Sequence, residues 1–181
     1  MRIATIIMAM MAAFTLSAAE EVNLIKNGNF AEGTKYWSVS PLVKHVAATG
    51  KDGKNFVELT NQRSVIQTVA IEPDGIYELS FLTKGENIVA KDKTQGGRVI
   101  IRGGKRYARG TADPKGGCMT GTFDWKQGKC TLKASYFQSP NLTITLWLAG
   151  DGKCCYTDVK LVTVGSEKKA QYPPCKAENK L

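Results

Sequence analysis

Between residues 20 and 165 the apolar positions alternate with polar ones and do not recur at helical spacing. The clearest run covers 142–148. Leu142, Ile144, Leu146 and Leu148 alternate with Thr143, Thr145 and Trp147. That spacing predicts a strand with one buried face and one usable outer face. Residues 76–84 repeat the pattern, with Tyr77, Leu79 and Phe81 on one side and Glu78, Ser80 and Lys84 on the other. Further strands are predicted at 22–26, 42–48, 55–60, 64–71, 98–102, 129–136 and 154–164. Turn residues separate them, as in Gly50-Lys51-Asp52-Gly53 and Glu72-Pro73-Asp74-Gly75. A set of about nine or ten short strands with no linker between them predicts a single all-β sandwich or barrel.

The two ends read differently. Met1-Arg2 is followed by an apolar stretch to Leu16 and then by Ser17-Ala18-Ala19. This is the shape of a secretory signal peptide over 1–19, cut before Glu20. The stretch is shorter than the ~20 residues of a membrane-spanning helix, and no later segment is apolar for longer. The chain is therefore expected to be secreted or periplasmic, with no integral membrane segment after cleavage. Residues 166–181 are polar and lysine-rich and read as a tail. All five cysteines lie after the leader, and an exported chain can pair them. The expected pairs are Cys118 with Cys130, and Cys175 with Cys154 or Cys155, although spacing alone does not determine connectivity. The odd cysteine is either a buried thiol or an intermolecular link.

Composition narrows the chemistry. The 181 residues carry 25 basic and 16 acidic side chains, a net charge of +9, or +8 once Arg2 leaves with the leader. His45 is the only histidine, which excludes a zinc site of several histidines and leaves one candidate base for a nucleophile–histidine pair. No phosphate-cradling loop follows a strand and opens a helix, and no carboxylate pair stands out. The expectation is a protein without catalytic residues. Most of the charge is local. Residues 84–109 hold eight basic side chains (Lys84, Lys91, Lys93, Arg98, Arg102, Lys105, Arg106 and Arg109) against Glu86 and Asp92, a net of +6.

Five segments resemble the family 4/9 carbohydrate-binding modules, in order along the chain. Asn23-Leu24-Ile25-Lys26-Asn27-Gly28-Asn29-Phe30 followed by Trp37 is similar to the family's opening. Gly50 to Leu59 is similar to its glycine turn and next strand. Gln67-Thr68-Val69-Ala70-Ile71 through Pro73 and Gly75 to Tyr77-Glu78-Leu79-Ser80-Phe81 resembles the middle of the module. Gly121-Thr122-Phe123-Asp124-Trp125 and Tyr156-Thr157-Asp158-Val159-Lys160-Leu161 resemble its later segments. The resemblance spans residues 23 to 161. It implies a jelly-roll β-sandwich of the galactose-binding-domain type and a non-catalytic module that binds a poly- or oligosaccharide. It also implies one structural calcium ion. Ala31 and Thr157 stand where the family often has acidic residues, which leaves Asp158 as the ligand candidate.

A sugar-binding surface needs an exposed aromatic ring flanked by hydrogen-bonding side chains. The candidates are Trp147, Tyr107, Arg102, Arg98 and Trp125. Trp147 is a platform if its sheet face is open and a core residue if another layer covers it. Trp37 and Trp125 sit inside family-like motifs and read as anchors first. The basic segment 84–109 suits an anionic ligand, either as part of a glycan site or as a separate anion-binding module. No nucleic-acid motif accompanies it. The remaining alternative is a structural or protein-interaction sandwich that reuses the fold without sugar affinity.

Overall fold

The structure, a computed structural model, describes residues 22–48, 53–90, 92, 94–113 and 115–167. Two five-stranded antiparallel sheets face each other. Sheet I runs in the order β1 (Ser38–Val39), β4 (Ser64–Ala70), β9 (Asn141–Ala149), β6 (Gly96–Gly103), β7 (Arg106–Gly110). Sheet II runs β2 (Lys44–Val46), β3 (Phe56–Thr60), β10 (Asp151–Ser166), β5 (Gly75–Val89), β8 (Gly121–Lys133). A single helical turn, α1 (Ala134–Phe137), caps one end.

The inward faces supply the core, as the alternation requires. Leu142, Ile144, Leu146 and Leu148 of β9 pack with Val65, Val99 and Ile101 against Leu59, Leu79, Phe81, Tyr156 and Leu161 of sheet II. Burying these side chains, at ~1.5–3 kcal/mol each, is the main driving force for the two-layer arrangement. Phe30 and Trp37 close one end with ring centroids 5.3 Å apart, and the Trp37 indole Nε1 donates to the Asn27 carbonyl at 3.1 Å. Trp37 is thus a core anchor.

The predicted strand at 22–26 does not form. Only an Asn23–Val162 bridge remains of it. Side chains hold this segment in place of a ladder. The Gln67 amide accepts from Lys26 N at 2.8 Å and donates to Lys26 O at 2.9 Å, copying a backbone pair. Asn23 Oδ1 accepts from both Ile25 N and Leu161 N. Gly28 then passes so close to β10 that a Cβ there would lie 1.9 Å from the Val159 carbonyl oxygen.

Other bounds shift for related reasons. β5 and β8 run well beyond the predicted 76–84 and 129–136, because they pair with each other past register shifts near Gly85. Residues 134–136 belong instead to α1. β7 was not predicted; Gly104 has φ +56 in the tight turn that brings β7 back along β6. The leader 1–19 and most of the tail 166–181 lie outside the described residues. No helix among the described residues is long and apolar enough to cross a membrane.

The expected Cys118–Cys130 disulfide is absent: both are free thiols. The Cys118 sulfur accepts from Arg98 Nη1 beside Gly96, whereas that of Cys130 lies against Gly110. Cys154 and Cys155 are free thiols as well. Cys154 is closed inside the sandwich with its Sγ 3.5 Å from Thr83 Oγ1. Cys175 lies outside the described residues.

Burial pushes the thiols of Cys130 and Cys154 up to about 11, and that of Cys155 to about 12, from a usual 9.0. The folded state therefore holds these protons more tightly than the unfolded chain. Their contribution to stability is complete below pH 9 and is lost as pH rises through 11 to 12. We expect the urea midpoint to decline from pH 9 upward, and to decline less in a Cys130→Ala, Cys155→Ala variant. Equal slopes would remove the thiols as the cause.

Candidate functional site

The site is the outer face of sheet I. The same alternation that sends the leucines of β9 inward sends Thr143, Thr145 and Trp147 outward. Pairing registers assemble the face in rows. Trp147 stands between Ser64 of β4 and Arg98 of β6. Thr145 stands between Ile66 and Ile100, and Thr143 between Thr68 and Arg102. Across the β6–β7 ladder, Tyr107 lies beside Arg102 and Arg109 beside Ile100. Ser64, Ile66, Ile100, Arg102, Thr143, Thr145 and Trp147 line an open groove of about 340 Å³.

Of the five sugar-site candidates, four meet on this face. Trp147 is half-buried and lines the groove. Tyr107 is 54% exposed on the edge strand, and Arg102 is exposed between them. Arg98 has a different part from the one expected. It is only 7% exposed, and its guanidinium carbon lies 4.4 Å from the centre of the Trp147 ring. Nη1 donates to Cys118 Sγ at 3.4 Å, and Nε has no partner among the described residues. Arg98 therefore holds one face of the indole and leaves the rest of the ring to the groove. It is a positioning residue.

Support comes from the core side too. The Tyr156 hydroxyl, on β10, reaches across the sandwich to within 2.9 Å of Trp147 O and 3.2 Å of Arg98 O. It fixes the backbone of the row that carries the ring. Tyr156→Phe removes that donor and should cost about 1–2 kcal/mol in urea unfolding, the range for a buried hydrogen bond. An unchanged midpoint would show that the two carbonyls do not need it.

Trp125 does not join this face. It belongs to β8 in sheet II, where its ring meets Phe56 edge-on with centroids 5.6 Å apart. Its indole Nε1 is buried without a partner among the described residues. Thr143 and Thr145 were legible as the positions four and two before Trp147, and Arg109 as part of the basic segment 84–109. Ser64 and Ile66 were missed, because they come from another strand and only the register assigns them.

Asp158 lies in the turn-like kink of β10, at φ 50. Its carboxylate faces Lys54 Nζ at 3.6 Å. Nearby, Asn27 Oδ1 accepts from Glu32 N and Asn29 Oδ1 from Ala31 N. Among the described residues no cluster of three or more His, Cys, Asp or Glu is arranged to hold a metal ion. Calcium takes six to eight oxygens from carboxylates, amide and backbone carbonyls and water. Asp158 would supply the one carboxylate here, in a cleft that it shares with Asn23, Asn27 and Asn29. His45 is committed, with Nε2 2.9 Å from the Phe30 carbonyl.

The fold is a two-sheet antiparallel jelly roll of the type found in carbohydrate-binding modules. A family 61 module, TmCBM61 in complex with β-1,4-galactotriose, superposes over 81% of this chain and 99% of its own at 20% identity, TM-score 0.50. The CBM22-1 xylan-binding domain from Paenibacillus barcinonensis Xyn10C covers 81% and 97% at 16% identity, TM-score 0.56. A Stig cyclase, Fisc from Fischerella sp. TAU, covers 81% and 100% at 16% identity, TM-score 0.57. At these identities the likeness concerns the fold, which serves a catalyst as well as binding modules. No protein-family model and no curated protein sequence matches the chain.

Proposed function

We propose that this chain is an exported, non-catalytic sugar-binding module, similar to family 4/9, that takes a poly- or oligosaccharide on the outer face of sheet I. The observation that carries the reading is the Trp147 ring, braced by Arg98 at 4.4 Å and set in an open groove. Hydroxyls of Ser64, Thr145 and Thr143 line the groove in successive rows, those of Ser64 and Thr143 also within 3.1 Å of Ser40 and Thr68. A sugar offers an apolar C–H face and outward hydroxyls. An indole ring stacks on the first, and short hydroxyl side chains bond the second. Ile66 and Ile100 keep the floor between them apolar. The solved modules with this fold include one holding a galactotriose and one named for xylan. The opening segment around Asn23 to Phe30 and the closing segment around Asp158 support the family 4/9 likeness.

The test is affinity electrophoresis of the chain from Glu20 onward through gels containing single polysaccharides, including galactan, xylan and polygalacturonate. Retardation by at least one of them is expected. Equal mobility in every gel would overturn the reading. Export is checked separately: the amino terminus of the protein recovered outside the cytoplasm should be Glu20.

A further inference from the structure

The two sheets differ in their charge chemistry. The strands of sheet I contain no Asp, Glu or Lys, and their basic residues are Arg98, Arg102, Arg106 and Arg109. The strands of sheet II carry six acidic residues, from Glu58 to Asp158, and seven lysines, with no arginine. The ion pairs among the described residues all use lysines, and no carboxylate pairs with Arg102 or Arg109. Charge placed for solubility is mixed in sign, as on sheet II. Strands that carry one sign only, and that sign as arginine alone, are suited to anions; Asp92, just before β6, acts on Arg98 and not on Arg102 or Arg109. The planar guanidinium bonds a carboxylate through two parallel N–H donors, which lysine cannot do.

We propose that this face recognises a polysaccharide bearing uronate carboxylates. The proposal rests on the sugar-binding reading above and names its substrate class. Arg98 is buried against Trp147, so Arg102 and Arg109 are the contact residues. Arg102 and Arg109 are diagonal neighbours across the β6–β7 ladder, with Cα atoms roughly 7–8 Å apart. From the row of Trp147 to the row of Arg102 is four residues along β6, about 13 Å. The ring thus sits at one end of the groove and Arg102 at the other, with threonine hydroxyls and two isoleucines between and Arg109 on the edge strand beside the middle row. Tyr107 continues the face beyond Arg102, and its ring lies 5.6 Å from the Arg109 guanidinium carbon. Two guanidiniums beside an otherwise neutral floor match a polymer with separate carboxylates on its sugars. They do not match a densely sulfated one.

The experiment measures binding of the intact exported chain to three polymers: polygalacturonate, the same polymer after reduction of its carboxyl groups, and dextran sulfate. We expect polygalacturonate to bind at least 10-fold tighter than its carboxyl-reduced form, with affinity falling as salt rises. Arg102→Ala with Arg109→Ala should remove that preference and flatten the salt dependence, with the melting temperature retained. Equal affinity for native and reduced polymer, or a silent double variant, overturns the uronate assignment and leaves sugar binding standing. Tighter binding of dextran sulfate overturns it in favour of a general anion surface. Failure of every polysaccharide, neutral ones included, overturns the sugar-binding reading itself.

Discussion

Trp147→Ala abolishes retardation by whichever polysaccharide the wild type binds, with Kd rising about 30-fold or more. A buried aromatic anchor at the centre of a contact is typically worth about 2 kcal/mol or above, and 1.4 kcal/mol is a factor of ten in affinity. Trp147 is the one indole on this face. Its ring is half-buried, with Arg98 at 4.4 Å and Ser64 in register on the neighbouring strand. Losing an arginine–ring contact costs about 0.5–2 kcal/mol. The melting temperature should therefore fall by only a few degrees. Trp147→Phe keeps a ring and should keep part of the affinity. The decisive measurement pairs affinity electrophoresis with a thermal melt on the same sample. A folded Trp147→Ala protein with wild-type retardation would remove the groove as the site.

Leu146→Ala should give the opposite result. Leu146 is fully buried between the sheets, one residue from Trp147 and on the other side of the same strand. Truncation removes the apolar contacts and leaves a cavity, at a cost of about 2–5 kcal/mol. For a domain of this size that lowers the melting temperature by roughly 6–15 °C. The protein that remains folded should bind its glycan with unchanged affinity, because Leu146 touches nothing on the outer face. Calorimetry gives the first quantity and titration below the transition gives the second. A stable variant, or one that stays folded but loses binding, would contradict the division of β9 into a core face and a ligand face.

Those two neighbours show how far the linear pattern reaches. Period-two alternation in 142–148 assigns Leu146 and Trp147 to opposite faces without any coordinates, since a pleated strand leaves no other option. The same logic placed Tyr77, Leu79 and Phe81 in the core. It failed at 22–26, where the alternating residues are held by the Gln67 and Asn23 amides and do not form a ladder. It failed for Cys118 and Cys130 as well. The intervening residues do form a strand, β8, but both cysteines are free thiols.

The site divides the same way. Composition and charge pointed to the basic segment 84–109 as one patch, but chain continuity does not keep it together in space. Lys84 belongs to sheet II and pairs with Asp124. Arg98, Arg102 and Arg109 belong to sheet I. The arginine of the three that looks equivalent in sequence, Arg98, is buried under the indole it supports.

The sequence by itself determined an all-β chain of the sandwich or barrel kind and, in strands such as 76–84 and 142–148, which residues face inward, since both follow from local alternation and turn chemistry. The tertiary structure alone decided which strands are neighbours. That set Trp147 in one groove with Ser64, Ile66, Ile100 and Arg102, moved Trp125 to the other sheet, and left Arg102 and Arg109 without a carboxylate partner among the described residues. Strand order and register depend on contacts between residues far apart in the chain, and no local pattern encodes a distant partner.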